Sequence, residues 1–185
     1  MKSEKIYIEY LVLKAQAGDR LPTEQQVGDQ LFSILRPKIK AFVLKILGSH
    51  EAVDDCVQNT LLQVFGKLTQ LKQVKAVHTW LYRIAYSSCM DHCRNQRPQT
   101  DTETESVADL SELEQQLDVK TAIAKLAEAQ QAIIFLFYYE GFTVDEMATI
   151  LNQPAGTIKY QLFMAREHIK QQLIQTNQPE SNHEY

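Results

Sequence analysis

The chain has 185 residues, 44% hydrophobic and 23% charged, close to the globular average, which excludes fibrous sequences and wholesale disorder. No apolar run approaches the roughly 18–20 residues of a membrane span, and Glu4 and Glu9 interrupt the amino-terminal apolar stretch, so the expectation is a cytoplasmic chain without a secretion signal. The net charge of −4, from 19 basic and 23 acidic residues, speaks against nucleic acid as a bulk number, because phosphate neutralisation needs local positive charge.

The elements in chain order are helical. Leu31, Leu35, Ile39, Phe42, Val43 and Ile46 form the apolar stripe of a first helix, with a kink or restart expected at Pro37 and closure at Gly48. Ser49 is the expected N-cap of the next helix, whose stripe is Val53, Val57, Leu61, Val64 and Leu68. A third helix is predicted from about Lys75 to Arg94 through Val77, Trp80, Leu81, Ile84, Ala85 and Ser88, stopped by Pro98. Residues 33–98 hold 10 basic and 4 acidic side chains, so the bulk charge hides a basic block.

An acidic segment follows at once. Residues 99–120 carry 7 acidic and 1 basic side chain with few large apolar ones, which reads as a flexible linker, turning helical from Ser111, where Ser111 and Glu114 make a weak capping box. Beyond it, the run Ile133 to Tyr139 reads as a buried helix ended by Gly141. Thr143 and Glu146 form a capping box opening a short helix through Ala148, Ile150 and Leu151. After the turn Asn152-Gln153-Pro154, a last helix is predicted from about Ala155 to Leu173, with Ile158, Leu162, Ala165 and Ile169 buried. Two helices joined by a tight turn outline either an ordinary helical hairpin or a helix-turn-helix. The fold class is all-α: two small helical domains, 1–98 and 121–176, joined by the acidic linker 99–120 and followed by a disordered tail at 177–185.

Cys56, Cys89 and Cys93 cannot all pair within the chain, and the expectation is three free, half-buried thiols. Cys89 and Cys93, with His92 between them, supply two ligands at most, and no second Cys/His pair stands at a metal-binding spacing, so no metal or cofactor is expected.

The residues themselves then point to a family. Asp54-Asp-Cys-Val-Gln58-Asn-Thr-Leu, Trp80-Leu-Tyr-Arg-Ile-Ala85 and Asp91-His-Cys-Arg94 resemble region two of bacterial sigma factors. Gly141-Phe-Thr-Val-Asp-Glu-Met-Ala148 and Gly156-Thr-Ile-Lys159 followed by Ala165-Arg166 resemble region four. The segment Leu11-x5-Ala17-Gly-Asp19 resembles the start of these proteins, and region three is missing. That layout resembles the extracytoplasmic-function group of the sigma-70 family.

The resemblance implies a transcription initiation factor with no bond chemistry and no small-molecule substrate. Its partners would be core RNA polymerase (through the beta-prime clamp helices and the beta flap), promoter DNA and an anti-sigma factor. It implies that Asp54, Asp55, Gln58, Asn59 and Leu62 dock on the clamp helices. The third helix would hold the melted minus-ten element, with Lys75, Tyr82, Arg83, Tyr86, Arg94, Asn95 and Arg97 as the DNA face and Trp80 in the core. Thr157, Lys159, Tyr160, Gln161, Met164 and Arg166 would meet the minus-thirty-five element in the major groove. Where many members have Ser-Arg this chain has Tyr160-Gln161, and Phe163 and Met164 stand where Arg or His is common, so weaker and less salt-sensitive binding by the isolated second half than a typical member shows is expected. This thinned basic face keeps an alternative open: a sigma-like module or decoy that engages polymerase or an anti-sigma protein without driving promoters. The linker carboxylates are expected either to mimic phosphate in polymerase channels or to act as a solvated tether.

Overall fold

The computed structural model describes residues 2–17, 23–48, 50–96 and 114–176. All regular elements among them are helical. They are α1 (Lys2–Ala17), α2 (Thr23–Leu47), α3 (His50–Lys67), α4 (Val77–Gln96), α5 (Glu114–Ala124), α6 (Glu128–Ile134), α7 (Val144–Leu151) and α8 (Ala155–Thr176). The expectations for Ser49, Pro98, Ser111, most of the linker and the tail lie outside the described residues. No helix among the described residues is long and apolar enough to cross a membrane.

In the first half, α1, α2, α3 and α4 pack together. The predicted stripes of α2 and α3 are buried throughout. α2 runs through Pro37 without a break. The proline is exposed, and the carbonyl its missing N–H leaves unpaired belongs to exposed Ser33, on the side where water can satisfy it. Gly48 closes the helix at φ +67°, donating its N–H to the Leu44 carbonyl at 3.0 Å. α1 was not foreseen as a helix. It buries Ile8, Leu11 and Val12, and the Gln16 amide donates to the carbonyls of Leu68 and Leu71 at 2.8 and 2.9 Å, tying it to the turn after α3.

In the second half, α5 begins at Glu114, inside the stretch expected to be linker, and packs on α8. α6 continues into a single π turn at Phe135–Tyr139, closed by the Glu140 N–H donating to the Phe135 carbonyl. The capping box at Thr143 and Glu146 forms as expected, and Asn152 ends α7 in the left-handed conformation. Ile158, Leu162 and Ala165 of α8 are buried and Ile169 is half-buried.

The two halves share a core. α4 packs on α7 and α2 on α6. The rings of Phe42, Tyr82, Phe135 and Phe142 meet at this junction, with Phe42–Phe135 at 5.5 Å and Tyr82–Phe142 at 5.4 Å. Lys5 of α1 lies over the Phe142 ring at 5.0 Å and donates to the Glu140 carbonyl at 3.4 Å.

Candidate nucleic-acid and partner interfaces

On the first half, the outer side of α3 borders a groove of about 460 Å³ shared with α2. Asp54, Gln58 and Leu62, all expected at a partner surface, line it, and Leu62 is 64% exposed. Phe32, Arg36 and Phe65 complete its walls, with Phe32 and Phe65 stacked at 6.2 Å. Sequence reasoning missed these three, although Phe32 and Phe65 each flank a buried-stripe residue. Asp55 and Asn59 are exposed but lie outside the groove. Asp54 pairs with Lys40 at 2.9 Å, which fixes the carboxylate at the rim. An exposed leucine among aromatic and hydrogen-bonding side chains suits a partner helix.

The structure divides the residues of α4 and its flanks that were expected to face DNA. Lys75, Arg83, Arg94 and Asn95 are exposed, Tyr86 is half-buried, and Arg97 lies outside the described residues. Arg94 pairs with Asp91 at 3.1 Å on an exposed turn, a contact worth little. Burial raises the Tyr86 phenol pKa above its ordinary value. Tyr82 is a correction: it is 1% exposed, wedged edge-on between Phe42 and Phe142, because position 82 falls on the inward side of α4. Burial, with the neighbouring Glu140 carboxylate adding to it, pushes its phenol pKa up. Its hydroxyl meets no partner at hydrogen-bond geometry, with the Glu140 carboxylate near enough to act on it. Trp80, expected in the core, is half-buried and packs against the core's edge.

Cys56 and Cys89 are buried side by side, Sγ to Sγ at 3.7 Å, linking α3 and α4, while Cys93 is half-buried. The hydrogen bond to Cys56, together with burial, raises the Cys89 thiol pKa, and either thiol can donate across the pair. Among the described residues, no group of three or more His, Cys, Asp or Glu is placed to hold a metal.

On α8, Thr157, Lys159 and Tyr160 are exposed, and Gln161 and Met164 are half-buried. The Gln161 amide oxygen is turned inward without a partner. Arg166 is exposed two turns beyond Lys159, where its Nε donates to the Tyr138 hydroxyl at 2.8 Å and its guanidinium lies over the Phe137 ring at 5.2 Å. There it edges an apolar groove of about 780 Å³ between α5, α6 and α8, walled by Val119, Ile123, Tyr138, Ile169 and Ile174 among others.

The description Sigma-70 region 2 matches residues 31–99, and Sigma-70, region 4 matches residues 116–169. The ECF RNA polymerase sigma factor RpoE of Cereibacter sphaeroides is 30% identical, over 78% of this chain and 84% of that protein. The RNA polymerase sigma-H factor of Pseudomonas aeruginosa is 25% identical, over 89% of this chain and 93% of its own. Among solved structures, the sigma factor RpoE of Bartonella quintana in complex with the anti-sigma factor NepR shares the fold at a TM-score of 0.63 and 24% identity, covering 79% of this chain and 96% of that one. CnrH, in complex with the cytosolic domain of CnrY, does so at 0.63 and 20%, covering 92% and 98%.

Proposed function

The chain belongs to the sigma-70 family, in its extracytoplasmic-function group, and from that premise we propose that its surfaces divide the work of initiation as follows. The groove around Leu62 takes the beta-prime clamp helices of core RNA polymerase. The exposed cations Arg83 and Arg94 of α4 and Lys75 just before it, with Asn95 and Tyr86 beside them, hold the melted minus-ten element. α8 enters the major groove at the minus-thirty-five element through Thr157, Lys159, Tyr160, Gln161 and Met164. The apolar groove edged by Arg166 takes the helix of the beta flap, and an anti-sigma protein competes for these same surfaces in the cytoplasm.

The observation that carries this reading is the coincidence of three separate partner surfaces on one chain: a Leu-centred groove, an exposed basic helix face and a capped helix-turn-helix. A plain helix-turn-helix repressor leaves the first half without a task.

The reading requires the halves to part. The two promoter elements lie about 25 base pairs apart, roughly 85 Å of duplex at about 3.4 Å per pair. A compact chain of 185 residues has a radius of gyration of only roughly 16 Å. The arrangement joined by Tyr82 and Phe142 therefore cannot occupy both elements, and promoter binding draws on the open population.

The test is run-off transcription with purified core polymerase on DNA from upstream of the chain's own gene, and on a panel of other upstream regions. Discrete transcripts that depend on the chain support the reading. Polymerase binding with no open complex on any template would sink it.

A further inference from the structure

α8 carries two stripes of the same spacing on opposite sides. Ile158, Leu162, Ala165 and Ile169 face inward. Gly156, Tyr160, Phe163 and Glu167 recur at the same intervals of 4, 3 and 4 and hold the middle of the outer face. Tyr160 is 63% and Phe163 57% exposed, so two large aromatic side chains stand in water where the helix has no core to join. Lys170 continues the stripe one turn beyond Glu167, and between Tyr160 and Phe163 no cation lies in it. Lys159 sits on its flank, and Arg166, seven residues on along the same flank, is held by Tyr138. At Gly156 a Cβ would meet nothing within 4 Å, so the first turn presents open backbone.

Base edges in the major groove differ in their donors and acceptors and in one apolar group, the thymine C5 methyl. Guanine is read by bidentate Arg or Lys, and the stretch of the stripe from Tyr160 to Phe163 has neither. Aromatic carbon is suited to covering a methyl. The first turn brings its unpaired N–H groups and the positive end of the helix dipole toward phosphate, which replaces part of the missing cationic charge. That combination favours a duplex over a protein as the occupant of the stripe.

We propose that this chain reads thymine methyl groups at the upstream promoter element through Tyr160 and Phe163, and so prefers T·A over G·C pairs there. The inference rests on the assignment of α8 as the promoter-reading helix. Phe163, passed over among the sequence-derived contacts, becomes with Tyr160 a specificity-determining residue. Burying one methyl corresponds to a factor of about four in affinity.

The test uses the full chain bound to core polymerase and a pool of duplexes randomised over the upstream element. The enriched duplex is then remade with deoxyuridine for thymidine in that element, which removes only the methyl groups. T·A enrichment is expected, with a loss of about fourfold per methyl removed. The double variant Tyr160→Ser/Phe163→Ser should bind core polymerase normally and no longer distinguish the two duplexes. Enrichment of G·C pairs, or T·A enrichment indifferent to deoxyuridine, would overturn the methyl reading and leave α8 as a DNA reader. No upstream enrichment at all, with polymerase binding intact, would overturn the assignment of α8 itself. Loss of polymerase binding by the double variant would make the stripe a protein contact and overturn the proposal.

Discussion

The ring of Phe142, in the loop before α7, meets the ring of Tyr82 on α4 edge-on, centroids 5.4 Å apart and planes at 79°. Sixty residues separate them in sequence, and each belongs to a different half of the molecule. An edge-to-face pair adds about 0.5–1.5 kcal/mol beyond the area it buries. Phe142→Ala removes the pair, the seat of Lys5 and most of the apolar contact at that point. Each half also packs its own helices against one another, so the expected outcome is opening rather than unfolding. The radius of gyration by small-angle X-ray scattering should rise while helical ellipticity stays constant. An unchanged radius with a lowered melting temperature would count against a junction that opens.

Tyr82→Phe probes the same place differently. The Tyr82 hydroxyl is buried with no partner at hydrogen-bond geometry, and a buried unsatisfied group costs about 1–3 kcal/mol. Removing only that oxygen should leave the melting temperature unchanged or raise it by a few degrees. A loss of stability would show that the hydroxyl is bonded in solution, with Glu140 the nearest candidate acceptor.

Leu62→Asp tests the clamp-helix groove. Leu62 is exposed, so the fold does not depend on it, and the substitution places a charge between Phe65 and Gln58. A buried apolar anchor costs more than about 2 kcal/mol when lost, so affinity for core polymerase should fall more than thirtyfold. Asn59→Ala, outside the groove, should change it less than threefold. Equal effects of the two, measured by fluorescence titration, would remove the groove from the interface.

The helices were legible because burial imposes a period. The stripes of α2, α3 and α8 all point inward in the structure, and the Thr143–Glu146 box forms because both partners lie within one turn. What escaped was aperiodic. Tyr82 belongs to a motif whose neighbour Arg83 faces out, and nothing local shows that Phe142 covers the inward position. Arg166 carries a charge that suits phosphate, yet a hydroxyl and two rings of the π turn hold it, and that preference depends on the packing of α6 and its π turn against α8. α1 has a weak apolar stripe broken by Lys and Glu, and its place is set by the Gln16 bonds to a distant turn. The start of α5 was legible to within a turn from the capping pattern at Ser111 and Glu114, and the acidic residues of its first turns sit where the helix dipole favours them.

Lys159 and Arg166 should separate cleanly by salt dependence. Each phosphate contact contributes close to one unit to the slope of log affinity against log salt. Lys159→Ala should reduce that slope by about one for a duplex carrying the upstream element. Arg166→Ala should leave the slope unchanged and instead lower the melting temperature, since it breaks the bond to Tyr138 and the contact with Phe137. On a duplex carrying only the upstream element the slope should stay shallow, because the second half has few other cations. A slope of six or more would contradict this distribution of charge.

His78 gives the fold a dependence on pH. Its Nε2–H donates to the Lys5 carbonyl at 3.3 Å, joining α4 to α1, with Glu9 at 4.0 Å. Burial lowers its pKa from the ordinary 6.5; Lys5 and Lys38 push the same way, while the bond to Lys5 and the charge of Glu9 oppose them. The folded state therefore binds a proton less readily than the unfolded one. The stability contributed by neutral His78 is present above about pH 6.5 and is lost as pH falls toward the lower folded value. Denaturant midpoints measured between pH 8 and pH 5 should drop below about 6.5, with no change in the slope of free energy against denaturant. In His78→Gln, which keeps a donor for the Lys5 carbonyl and cannot titrate, the drop over the same window should shrink. An identical pH profile in the two proteins would place the titration elsewhere.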